Sequence, residues 1–173
     1  MTSVHDALRA ARSAVDSLSV AAAAKGDAWA RPRAPGKWSP AQIVEHVARA
    51  LEESGNVVAG RPSRMPALPA PLRPLVRRLF FNRVLRNQTF PKARSARALN
   101  PTEGPPTPAA GRTRLEEAFR AFETECRIAA PQQSMVASSA FGSVRLVDYI
   151  RFQELHTLHH LRQLKNEPAQ TVN

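Results

Sequence analysis

Hydrophobic positions recur at helical spacing in four long stretches of the chain and lose that rhythm between them. Val4, Leu8, Ala11, Val15 and Leu18 follow three- and four-residue steps. They predict a first helix over 3–24, capped by Ser3 or Thr2. Gly26, Pro32 and Pro35 then mark a connection. Ser39 precedes Pro40 and has Gln42 three residues on, a capping box with proline at the first helical position. This second helix is predicted to reach about Val58, before Gly60 and Pro62. Its buried stripe is Ile43, Val47, Ala50, Leu51, Ser54 and Val58. Thr113 and Glu116 form another capping box, and Leu115, Phe119, Phe122 and Cys126 outline a third long helix ending before Pro131. Residues 132–142 are small and polar, with Gly142 as a break. Ser143 is the expected cap of a last helix through about Leu164.

Residues 61–111 break the pattern, because they hold ten of the fifteen prolines. Within them Leu72, Leu75, Val76, Leu79, Phe80 and Val84 predict a short amphipathic helix over about 72–87. So long a connection between core helices is unusual and often functional. Four long helices without a convincing strand give an all-α fold. The expectation is one domain over 1–173, a four-helix bundle with a long Pro/Arg-rich insertion or lid at 61–111.

Composition supports helices. Only 7 of the 173 residues are glycine, and alanine and arginine, both good helix formers, dominate. A single cysteine, Cys126, excludes an internal disulfide and reads as a small core residue. No apolar run approaches the roughly 18 residues of a membrane span. The first residues, with His5, Asp6 and Asp16, do not resemble a signal peptide. The expected location is cytoplasmic.

Of the net charge of +11, ten units lie in one segment. No Asp or Glu occurs between Glu53 and Glu103, while that stretch carries ten cations: Arg61, Arg64, Arg73, Arg77, Arg78, Arg83, Arg86, Lys92, Arg94 and Arg97. Arg77, Arg78, Arg83 and Arg86 are candidates for a lid that attracts an anionic substrate. They equally suit a solubilising helix face.

The candidate chemistry lies in the histidines. His156 and His160 are four apart, so a helix sets them on one face about 6 Å apart. They share a half-polar stripe with Leu146, Tyr149, Gln153 and Leu164. His46 sits at the edge of the buried stripe of the second helix. Two imidazoles from one helix and one from another can converge on a divalent ion such as zinc, nickel or iron. Three protein ligands leave an open coordination position, where metal catalysis takes place. The alternative is a set of hydrogen-bonded core histidines. Gln163, three residues after His160, is placed to orient that imidazole from behind or to sit in solvent. His159 lies off the stripe and reads as a rim residue. Glu45 and Glu154 adjoin the histidines in sequence but point off the ligand face, so no general base is named.

Two segments resemble a known superfamily. Gly36-Lys37-Trp38-Ser39-Pro40-Ala41-Gln42-Ile43-Val44-Glu45-His46-Val47 is similar to the second-helix signature of the DinB/YfiT-like proteins. His156-Thr157-Leu158-His159-His160-Leu161-Arg162-Gln163-Leu164 resembles their last-helix signature, HxxxH followed by Gln. The resemblance implies an antiparallel four-helix bundle, often a homodimer. It implies a divalent ion, often nickel or zinc, on His46, His156 and His160. Characterised relatives in that superfamily include mycothiol-dependent maleylpyruvate isomerase and bacillithiol transferases. A transferase or isomerase acting on a small molecule with a low-molecular-weight thiol cosubstrate is therefore implied. The 61–111 segment is outside the shared pattern.

Other functions stay open at this level. A metal site could instead run a hydrolysis by acidifying water. A non-catalytic bundle could use the basic 61–100 segment on nucleic acid or a membrane surface. Sparse aromatics, Phe80 and Phe81 apart, argue against nucleic acid.

Overall fold

The computed structural model describes residues 3–91 and 96–165. Among these the protein is mostly helical, with one small two-stranded sheet. The four long helices are α1 (Val4–Ala23), α2 (Pro40–Val58), α5 (Pro108–Ala129) and α6 (Leu146–Lys165). Helix α2 packs chiefly on α5 and α1 on α6, while α1–α5 and α2–α6 contacts close the circuit. One core results, centred on residues such as Leu18, Ile43, Phe119, Phe122, Ile150 and Leu164, all fully buried. No described helix is long and apolar enough to cross a membrane.

Local chemistry explains the starts of α1 and α2. The Ser3 hydroxyl accepts from the Asp6 amide at the head of α1. The Ser39 hydroxyl accepts from the Gln42 amide at 3.2 Å, and the Gln42 side chain accepts from the Ser39 amide at 2.9 Å. With Pro40 in the first helical position, two otherwise orphaned donors are satisfied where α2 begins.

Helix α5 departs from expectation. It starts at Pro108, about a turn and a half before Thr113, with the Thr107 hydroxyl accepting from the Ala110 amide. Thr113 is inside the helix, where its hydroxyl donates back to the Ala109 carbonyl at 3.3 Å. Gly111 resembles a breaker but serves the packing. A Cβ there would lie 2.5 Å from the Trp29 ring, which is itself held by a bond from its indole N–H to the Pro105 carbonyl.

The all-helical expectation also needs correcting at 132–145. Met135–Ser138 (β1) and Gly142–Arg145 (β2) form an antiparallel hairpin. Ser143 therefore lies in a strand and does not cap α6. Gly142 takes φ +70°, a conformation open to glycine at the hairpin turn, and the Ser138 hydroxyl accepts from the Ala140 and Phe141 amides.

The long connection forms an arm. Its helix is short and irregular: α3 (Arg73–Val76), a π turn (Arg77–Phe81) and α4 (Asn82–Asn87). Basic residues tie it down at several points. Arg61 pairs with Glu125 at 3.0 Å, Arg64 approaches Glu53, and Arg73 donates to the Leu68 carbonyl at 2.8 Å. Part of the charge excess is thus engaged in packing. Lys92 and Arg94 lie outside the described residues.

Candidate metal centre

Helices α2 and α6 bring His46, His156 and His160 together. The Nε2 atoms of His46 and His160 each lie 3.1 Å from Nε2 of His156. All three ligand atoms fall within 4.8 Å of one another, and no other such group of His, Cys, Asp or Glu occurs among the described residues. His46 and His160 are buried; His156 is partly exposed.

The remaining ring nitrogens define the tautomers. His46 Nδ1–H donates to the Leu99 carbonyl at 2.9 Å, since a carbonyl can only accept. His160 Nδ1–H donates to Gln163 Oε1 at 3.0 Å, and the Gln163 amide donates to His159 Nε2 at 2.8 Å. Both imidazoles therefore turn an Nε2 lone pair toward the centre. His156 can bring at most one proton into that space. One proton satisfies one of the two facing lone pairs and leaves the other without a donor.

A cation would be met by all three nitrogens. Zinc–nitrogen bonds of about 2.0–2.1 Å put tetrahedral ligand atoms roughly 3.3 Å apart, close to the two 3.1 Å separations from His156. The residues present fit a divalent ion. Burial holds the His46 imidazole below its usual range, against the opposing pull of the Leu99 bond. Burial, followed by the neighbouring histidines, holds His156 and His160 well below theirs. Neutral imidazoles are the form that ligates metal.

The triad opens into a cavity of about 490 Å³, a size usual for small-molecule sites. Trp38, immediately before the α2 cap, covers the centre, with its ring 4.6 Å from His46 and 6.2 Å from His160. Phe90 approaches from the arm to 5.4 Å from His156. The hairpin adds Ser138 and Phe141 to the wall, and the arm adds Val76 and Phe80.

The four arginines suggested for a lid lie off the cavity lining. None of Arg77, Arg78, Arg83 or Arg86 lines the cavity. Arg78, Arg83 and Arg86 are exposed, and Arg77 donates to the Ser143 carbonyl at 2.7 Å. The arm turns Val76, Phe80 and Phe90 to the site, and none of its described arginines lines it, because desolvating unpaired guanidinium groups over a phenylalanine wall is unfavourable.

Gln163 holds His160, as its spacing allows, and His159 sits half-buried at the cavity edge, 5.7 Å from the Phe90 ring. Glu45 is bound to Arg49 and Arg114, and Glu154 to Arg151, so neither faces the histidines. Among the described residues no carboxylate lines the cavity. Cys126 is fully buried on α5, where burial pushes its thiol up to about 12.

Sequence reasoning assigned no role to Trp38, the Leu99 carbonyl or the phenylalanine wall. The aromatic two residues before Pro40 was a visible signal for the first; nothing in the chain pattern marks a backbone carbonyl 53 residues from His46. Neither the curated proteins nor the solved structures gave a match to this chain. The profile of the family described as "Protein of unknown function (DUF1569)" matches residues 3–167, and the chain belongs to that family.

Proposed function

We propose that the chain is a metal-dependent enzyme with a DinB-like four-helix bundle, working as a transferase or isomerase with a low-molecular-weight thiol. The observation that carries the reading is the trio of Nε2 atoms. Two of them have their other nitrogen committed as a donor, so their lone pairs face a centre short of protons. The circuit of four long helices supports the bundle, and the two signature segments support the DinB-like assignment.

His46, His156 and His160 would hold the ion, with Leu99 and Gln163 fixing ring orientation. When bound, such an ion supplies Lewis acidity and makes a thiol more acidic. The protein's own part is to position and to exclude water. Trp38 and Phe90 shield the imidazoles, and the phenylalanine wall accepts an apolar reactant. The lack of a carboxylate in the described lining favours chemistry that needs no side-chain base, and so favours the thiol over the hydrolytic reading.

The test is elemental analysis of the untagged protein beside His46→Ala and His160→Ala. About one zinc, nickel or iron per chain, lost in both variants, is the expected result. A metal-free parent after reconstitution would sink the metal reading. Turnover without any thiol would sink the thiol half alone.

A further inference from the structure

Two glutamines on α6 border the cavity, and they differ. Gln163 commits both ends of its amide, to His160 and His159. Gln153, one turn before His156, is only 3% exposed. Its backbone carbonyl accepts from the Thr157 hydroxyl at 3.0 Å, yet its side-chain amide has no hydrogen-bond partner among the described residues. That free amide borders the cavity.

Among the described residues the one fully enclosed side-chain polar atom left without a partner is Glu154 Oε2, so the Gln153 amide reaches the open space of the cavity, where water or a ligand completes its hydrogen bonds. Its surroundings offer little. Phe152 is the neighbouring residue, with rings of Phe90 and Phe141 at 4.9 and 5.4 Å from it. The wall near Gln153 is therefore aromatic; the cations of the lining, Arg33 and Lys37, belong to the loop before α2, where Arg33 donates to the Trp38 and Gln163 carbonyls and Lys37 is exposed.

We propose that Gln153 docks the substrate, and that the cavity takes a small aromatic compound bearing a neutral group that both donates and accepts, such as a carboxamide. The inference rests on the metal-dependent reading only for what happens next to the docked group. A glutamine amide offers one carbonyl and one NH₂. A carboxamide pairs with both. A carboxylate only accepts, so it would set an oxygen against the Gln153 carbonyl. A hydrocarbon pairs with neither.

The probes are benzamide, benzoate and ethylbenzene, titrated calorimetrically into the untagged protein and into Gln153→Met, with metal content measured on the same samples. The parent should bind benzamide most tightly. Gln153→Met, of similar volume, should weaken benzamide roughly tenfold and leave ethylbenzene unchanged or tighter. Equal benzamide affinity in both proteins would overturn the proposal. So would a parent that binds ethylbenzene or benzoate at least as well, and that ranking decides the matter if the variant does not fold. A parent that carries metal but fails the ranking loses the docking role and keeps the metal centre. A metal-free parent that passes keeps the docking role and loses the metal centre.

Discussion

Helix α5 and the arm over 61–107 both carry rows of hydrophobic residues, and they place them differently. In α5, Leu115, Phe119, Phe122 and Cys126 are each no more than 1% exposed. In the arm, Leu72, Leu75 and Leu79 are 46%, 53% and 61% exposed, while Phe81 and Val84 are buried and Val76 and Phe80 reach the cavity. A π turn at Arg77–Phe81 also interrupts the arm's helix between α3 and α4, so its apolar residues do not form one continuous stripe. The α5 stripe serves stability. The arm divides its apolar residues between a site wall and an outer surface, so its rhythm does not mark a core.

The sharpest way to break this contrast is a paired truncation. Phe122→Ala should cost about 3–5 kcal/mol by leaving a cavity. Leu75→Ala should change stability by less than about 0.5 kcal/mol. Denaturant unfolding of both reads the difference, and equal losses would make the arm part of the core. Gly111→Ala comes next, at about 1–3 kcal/mol, since its Cβ would overlap the Trp29 ring 2.5 Å away. A neutral result in the same assay would mean that the Trp29–α5 contact yields easily.

Acid should act on the site. In metal-free protein the native imidazoles of His156 and His160 titrate below the ordinary 6.5, so the unfolded chain binds protons that the native chain refuses. Stability is then present above pH 6.5 and falls as the pH drops through that value toward the native pKa values. Melting temperatures between pH 7 and 5 should decline, and less steeply in His160→Gln. A flat profile in the parent would mean that the site accepts protons in the fold. The smallest effect belongs to Cys126. Its thiol, pushed up to about 12, should stay inert to a disulfide reagent at pH 8 until the protein is unfolded.

Legibility in the chain depends on the range of the forces involved. The starts of α1 and α2 rest on hydrogen bonds three residues apart, and His156 and His160 share a face because four residues make about one turn. Such relations are written along the chain. The start of α5 is misread because Thr113 and Glu116 have capping-box spacing, whereas the Thr107 hydroxyl makes the cap and Gly111 continues the helix, its missing side chain leaving room for Trp29, 82 residues earlier. The hairpin escapes notice because four-residue strands leave too short an alternation to read, and Val136 and Val144 are buried by contacts with distant elements.

The sequence by itself determined the long helices, the concentration of ten of the eleven surplus positive charges in 54–102, and three histidines able to face one another. Only the tertiary structure decided that the Leu99 carbonyl holds His46, that the arm shows the cavity Phe80 and Phe90 and none of its described arginines, and that the Gln153 side chain finds no partner among the described residues. Helical periodicity is local and survives in the chain pattern. Which backbone oxygen meets a ring nitrogen, and which side-chain amide faces the cavity without a partner, depends on how distant segments fill one space together.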